Sequence, residues 1–139
     1  MYSIVGLVTL LALGLYFWMG LNVGRARGRF GVAAPATHGH PEFERYFRVQ
    51  QNTLEWLVIF LPTFWLCAYF MSDWGAVAVG VVAVIGVVWV IGRYLYMTGY
   101  IRDPAHRSRG FAIQAFATGL LFLGAVVGAV ITGIASINP

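Results

Sequence analysis

Four stretches of the chain carry no charged residue: Met1 to Gly24, Trp56 to Ser72, Gly75 to Gly92 and Gly110 to Pro139. A helix needs about 20 predominantly apolar residues to cross the hydrocarbon of a bilayer. The first and last stretches reach that length alone, and the middle two reach it by taking a turn or two from their polar flanks. The pattern predicts one domain over residues 1–139, all-α, an integral membrane bundle of four helices at about 2–24, 42–71, 74–101 and 109–136.

The connections are equally patterned. The segment Arg25 to Pro41 holds Gly28, Gly31, Pro35, Thr37, His38, Gly39 and His40, a run of breakers without apolar periodicity, and is read as a loop. Glu42 and Glu44 follow Pro41, where acids offset the dipole of a helix N-terminus. Pro62 falls inside the second helix and is expected to kink it. Small residues four apart (Gly20 and Gly24, Ala115 and Gly119, Gly124 and Gly128, Ala129 and Gly133) favour close helix approach. The first apolar stretch lacks the basic leader of a signal peptide, so it is read as a retained helix.

Composition agrees with the pattern, with 60% apolar residues, 10% charged residues and a mean hydropathy of +0.77. All nine basic residues are arginine. Arg25, Arg27, Arg29, Arg45 and Arg48 follow the first helix, and Arg102, Arg107 and Arg109 lie between the third and fourth. The turn at Ser72-Asp73-Trp74 and both termini have none, so the two arginine-rich connections are expected in the cytoplasm and both termini across the membrane, a bacterial inner membrane. The net charge of +4 suits anionic lipid or acidic substrates, and no nucleic-acid pattern accompanies it. Cys67, among Leu66, Ala68 and Tyr69, reads as packing.

Polar groups within apolar helices point to chemistry. At 100° per residue, Arg45, Arg48, Asn52 and Glu55 fall within roughly 80° of each other on the second helix. Arg48 and Glu55 are separated by about 10 Å along the axis, enough to hold two ends of a small extended ligand. Arg93, Tyr96 and Tyr100 share a face of the third helix, and Arg107 follows where it emerges. Antiparallel neighbours would bring both stripes to one depth. The alternative is a structural network in which Glu55 neutralises Arg48 or Arg93 and the tyrosines decorate the interface. The cations outnumber the single carboxylate, which favours a ligand with carboxylates for the arginines and an ammonium for Glu55 and Asn52, such as a zwitterionic peptide.

The motifs Phe43-Glu44-Arg45, Arg48-Val49-Gln50-Gln51-Asn52-Thr53-Leu54-Glu55, Gly92-Arg93-Tyr94-Leu95-Tyr96, Gly99-Tyr100 and Arg107-Ser108-Arg109-Gly110, in order from about Asn22 to Gly110, resemble the MAPEG family of membrane-associated proteins in eicosanoid and glutathione metabolism, most closely its microsomal glutathione transferase type three branch. The resemblance implies a homotrimer of four-helix subunits with glutathione as co-substrate between subunits near the cytoplasmic face, and no metal. Position by position it implies that Arg48, Asn52, Glu55, Tyr96 and Tyr100 bind glutathione, with Gln50 and Arg27 as further contacts, Arg93 in the helix-three motif, and Arg107 as the catalytic residue that activates the thiol. The reacting partners would be hydrophobic electrophiles or lipid hydroperoxides drawn from membrane lipid, giving transferase and peroxidase activities of a detoxifying kind. Trp56 stands where leukotriene-forming members have tyrosine, and Gly28 where they have a second arginine, which argues against leukotriene synthesis.

Other readings are a non-catalytic lipid- or glutathione-binding protein of this fold and a small multidrug transporter in which Glu55 exchanges protons for cations. Neighbouring arginines would repel a cationic drug. A metal site from His38, His40 and His106 has no supporting cysteine or carboxylate cluster.

Overall fold

The computed structural model describes residues 2–137; Met1 and the last two positions, with the ends of the two outer apolar stretches, lie outside the described residues. Four long helices account for nearly all of it: α1 (Ser3–Phe30), α2 (Pro41–Met71), α3 (Ala76–Arg102) and α4 (Ser108–Ile137). Short 3-10 turns at Ser72–Trp74 and Pro104–Arg107 join α2 to α3 and α3 to α4. All four are long and apolar enough to cross a membrane.

Where the sequence pattern ends the first helix near residue 24, α1 continues through Arg25, Arg27 and Arg29 to Phe30. The charges favour the extension, because cations in the last turn offset the helix dipole. Gly31 then closes α1 in the left-handed conformation (φ 68°), its N–H donating to the Arg27 carbonyl, a backbone state that suits glycine. At the start of α2, His40 Nδ1 accepts from the Glu42 N–H at 3.2 Å, and the Glu44 carboxylate accepts from the Gly39 N–H at 3.1 Å. Helix α2 passes through Pro62 without a break.

The helices run up and down, with α2 touching all three others and α3 packing against α1, α2 and α4. At the end away from the arginines the core is apolar: Phe60 stacks on Trp89 with centroids 3.9 Å apart, flanked by Phe64, Leu121, Val5 and Val8. Cys67 is buried in this cluster, and a Cβ on Gly124 would come 2.8 Å from its sulfur. The exterior is apolar too, as at Leu10, Phe17, Val77 and Phe116, the inverse of a water-soluble bundle.

Two glycines set the geometry at the arginine-rich end. A Cβ on Gly110 would meet the Tyr96 amide and come 2.7 Å from the Gly92 carbonyl oxygen, while one on Gly92 would come 2.7 Å from the Gln114 nitrogen. Helices α3 and α4 therefore cross with their backbones nearly touching. That contact brings the first turn of α4 over Tyr96 and Tyr100.

Candidate functional site

At this crossing a cavity of about 310 Å³ opens, lined by Arg48 and Asn52 from α2, Tyr96 and Tyr100 from α3, Arg107 from the preceding turn, and Ser108 and Phe111 from α4. The two polar stripes thus meet at one level. The two tyrosine rings lie 5.6 Å apart, and the Arg107 guanidinium carbon stands 5.8 Å from the Tyr100 ring centroid. Phe111 meets Tyr96 at 6.5 Å and Trp56 edge-on at 5.5 Å, forming the apolar wall.

Behind this lining sits Arg93, fully buried. It lies nine residues before Arg102, roughly 14 Å deeper along α3, a depth at which the bundle rather than lipid must satisfy its charge. Its Nη1 and Nη2 donate to Asn52 Oδ1 at 3.2 and 3.1 Å, and Nη2 donates to Thr53 Oγ1 at 2.6 Å. The Thr53 hydroxyl in turn donates to the Val49 carbonyl at 2.7 Å. The guanidinium carbon is also 4.4 Å from the Tyr96 ring centroid, a cation–π arrangement. The acceptors are all neutral.

The site's carboxylate is used elsewhere. Glu55 lies 3.6 Å from Arg48 and accepts from Asn52 Nδ2 at 3.2 Å, just outside the cavity lining. Both side chains of that ion pair are about half exposed (54% and 47%), so the pair adds little stability. Arg107 makes no ion pair among the described residues. The lining of the site is therefore electropositive.

The structure does not bring every predicted residue to the cavity. Gln50 turns toward α1, its Nε2 donating to the Tyr16 hydroxyl at 2.8 Å. Arg27 folds over its own loop, donating to the Ala36 carbonyl at 2.7 Å with its guanidinium over Phe43. Arg45, though on the predicted stripe, donates to the Ile101 and Arg102 carbonyls at 3.3 and 3.1 Å and closes the C-terminus of α3. Conversely, Ser108 and Phe111 line the cavity although the polar stripes do not include them. Phe111 stands in the first turn of α4, four residues after Arg107, and that short spacing is the signal that could have found it. Thr53, holding Arg93, stood inside the motif without an assigned role.

A model of the MAPEG family matches residues 5–127. The chain is 43% identical over 121 residues to an uncharacterized protein of Synechocystis sp., covering 87% of this chain and 84% of the relative. It is 37% identical over 112 residues to microsomal glutathione S-transferase 2 of Homo sapiens, covering 81% and 70%. With leukotriene C4 synthase of Rattus norvegicus the identity is 36% over 126 residues, covering 91% and 80%.

Proposed function

The chain belongs to the MAPEG family, and from that premise we propose that it is a multi-pass membrane glutathione transferase that conjugates glutathione thiolate to hydrophobic electrophiles, with a peroxidase activity on lipid hydroperoxides. The observation that carries this reading is the cavity uniting Arg48, Asn52, Tyr96 and Tyr100 with an Arg107 that has no carboxylate partner among the described residues. Its donors and acceptors fit a small peptide with two carboxylates and one ammonium. Arg48 takes a carboxylate, Glu55 and Asn52 hold the glutamyl end, and Tyr96 and Tyr100 orient the peptide.

The nucleophile is the thiolate, and a thiol of pKa about 8.5 is only a few per cent ionised at neutral pH. A guanidinium that lowers this value by about two units supplies roughly 2.7 kcal/mol of anion stabilisation and makes thiolate the major form. Arg107 takes that role, with the thiol proton passing to water. The thiolate sulfur then forms a bond to the electrophilic carbon, and the leaving group departs with its electron pair. Because the nucleophile arrives with the peptide, no serine or cysteine of the chain is required. Phe111 and Trp56 give the second substrate an apolar approach from lipid.

We further propose a homotrimer with the arginine-rich connections in the cytoplasm and both termini across the membrane. Arg27 and Gln50, off the cavity within one chain, contact glutathione across a subunit boundary. A proton-exchanging Glu55 is disfavoured by its ion pair with Arg48. Stopped-flow ultraviolet absorbance of thiolate on mixing glutathione with the purified protein tests the reading. The wild type is expected to form thiolate and Arg107→Ala to bind glutathione without it; equal thiolate in both would remove Arg107 from the mechanism.

A further inference from the structure

The largest hollow among those described is not the candidate active site but a groove of about 650 Å³ on the opposite side of the α3–α4 hairpin. It is lined at its polar end by Arg102, His106 and Arg109, and below them by Leu95 and Ile113. On α3 and α4 the groove residues lie on the opposite flank from Tyr96, Tyr100 and Phe111 at 100° per residue. Only Ser108 lines both hollows.

Two stripes explain its character. Arg102, Thr98, Leu95 and Ile91 share one face of α3, and Arg109, Ile113, Phe116 and Leu120 share one face of α4. Each begins with arginine at the helix end and continues with mainly apolar positions toward the bundle centre. Leu95, Ile91, Phe116 and Leu120 are exposed. From Arg109 to Leu120 the stripe descends about 16 Å, close to the thickness of one hydrocarbon leaflet. The Arg102 and Arg109 side chains make no hydrogen bond or ion pair among the described residues. The nearby carboxylate of Asp103 accepts from the Ala105 N–H at 2.9 Å and lies 3.5 Å from His106.

We propose that this groove binds an anionic glycerophospholipid, its phosphate between Arg102 and Arg109 and an acyl chain along Leu95, Ile113 and Phe116. Charge complementarity selects lipid over a second copy of the chain. Of the five acidic residues, Asp73 is at the far end, Glu55 pairs with Arg48, Glu44 accepts from Gly39 and Asp103 lies beside His106. That leaves Glu42 alone to offer from a neighbour, against an abundant phosphate in the leaflet. Guanidinium at headgroup level above an apolar slot matches a lipid along its whole length.

The test equilibrates the delipidated full-length protein, as its native oligomer in a non-ionic detergent, with equal amounts of phosphatidylglycerol and phosphatidylcholine, and counts retained lipids by native mass spectrometry. The wild type should retain phosphatidylglycerol in preference. At roughly fivefold per guanidinium, the Arg102→Gln/Arg109→Gln double variant should lose on the order of twentyfold of that preference. The Arg102→Lys/Arg109→Lys pair should recover most of it, and Arg25→Gln should change nothing. No preference in the wild type, equal retention by the glutamine pair, or displacement of lipid by inorganic phosphate at millimolar concentration would each overturn the proposal. So would dissociation of the oligomer in the glutamine pair, which would assign the groove to a second copy.

Discussion

The support of Arg93 by neutral acceptors gives the most discriminating prediction, because Thr53 and Asn52 share that support while only Asn52 reaches the cavity. Thr53→Val keeps shape and removes the 2.6 Å acceptor of a fully buried guanidinium. A hydrogen bond to a charged group is worth about 1.5–3 kcal/mol, and the 1% exposure of Thr53 denies a replacement water, so about 2 kcal/mol of destabilisation is expected. For a chain of this length that corresponds to a fall in Tm of roughly 6–8 °C. Asn52→Ala removes the acceptor shared by Nη1 and Nη2 at a partly exposed site where water replaces some of it, so a fall of similar size is expected. The two part company in ligand binding: Thr53→Val should leave glutathione Kd within about twofold, while Asn52→Ala should weaken it about tenfold, the equivalent of one lost hydrogen bond near 1.4 kcal/mol. Thermal unfolding in detergent and equilibrium titration with glutathione read the two quantities separately. An unchanged Tm in Thr53→Val, or equal loss of affinity in both variants, would refute the division between support and contact.

Gly110→Ala drives a methyl group into the Tyr96 amide and the Gly92 carbonyl and should shift the start of α4, lowering kcat/KM by on the order of a hundredfold through misplacement of Arg107, as steady-state conjugation assays would show. In Arg107→Ala the bound thiol should titrate near its free value of about 8.5 rather than about two units lower. The thiolate deficit, and with it the rate deficit in a pH profile, should then be about fiftyfold near pH 6.5 and shrink below about twofold near pH 9. Glu55→Gln breaks a half-exposed ion pair and should cost under about 1 kcal/mol of stability while raising KM for glutathione about five- to tenfold; a collapse of the fold instead would make Glu55 structural.

The legible part of this chain is what periodicity carries. Four apolar runs mark the helices, and the 100° rotation per residue gathers Arg48 with Asn52 and Tyr96 with Tyr100 from spacing alone. The extension of α1 through Arg25, Arg27 and Arg29 was not legible, because three arginines and a glycine resemble a cytoplasmic loop unless the left-handed closure at Gly31 is seen. Arg45 misled for a related reason: rotation fixes the face of a helix but not what the neighbouring helix offers there, and here it offers the free carbonyls at the end of α3. The meeting of Ser108 and Phe111 with α3 depends on Gly92 and Gly110, and glycine spacing alone does not say which helices will touch.

How Arg93 is held bears on what the cavity selects. Had Glu55 paired with Arg93, the two uncompensated charges would be those of Arg48 and Arg107, both on the lining; the pairing decides where the charge sits, not how much there is. Instead Arg93 leans on the Asn52 amide and the Thr53 hydroxyl, which accept from its Nη1 and Nη2 without cancelling its charge, its buried Nε has no partner among the described residues, and Glu55 offsets Arg48. Three guanidinium groups against one carboxylate leave two positive charges around a low-dielectric hollow, where their effect on an anion is larger than in water. Glutathione at neutral pH carries one net negative charge as the thiol and two as the thiolate. On the proposed function, two uncompensated positive charges favour the thiolate over the thiol, and release of a proton on binding is expected from the charge balance of the cavity as a whole, with Arg107 directing where the second negative charge sits. Replacing Arg93 by methionine should accordingly weaken thiolate formation even though Arg93 does not line the cavity, and proton release measured with a pH indicator on mixing with glutathione would register the loss. Full proton release by a folded Arg93→Met protein would assign the selectivity to Arg107 alone.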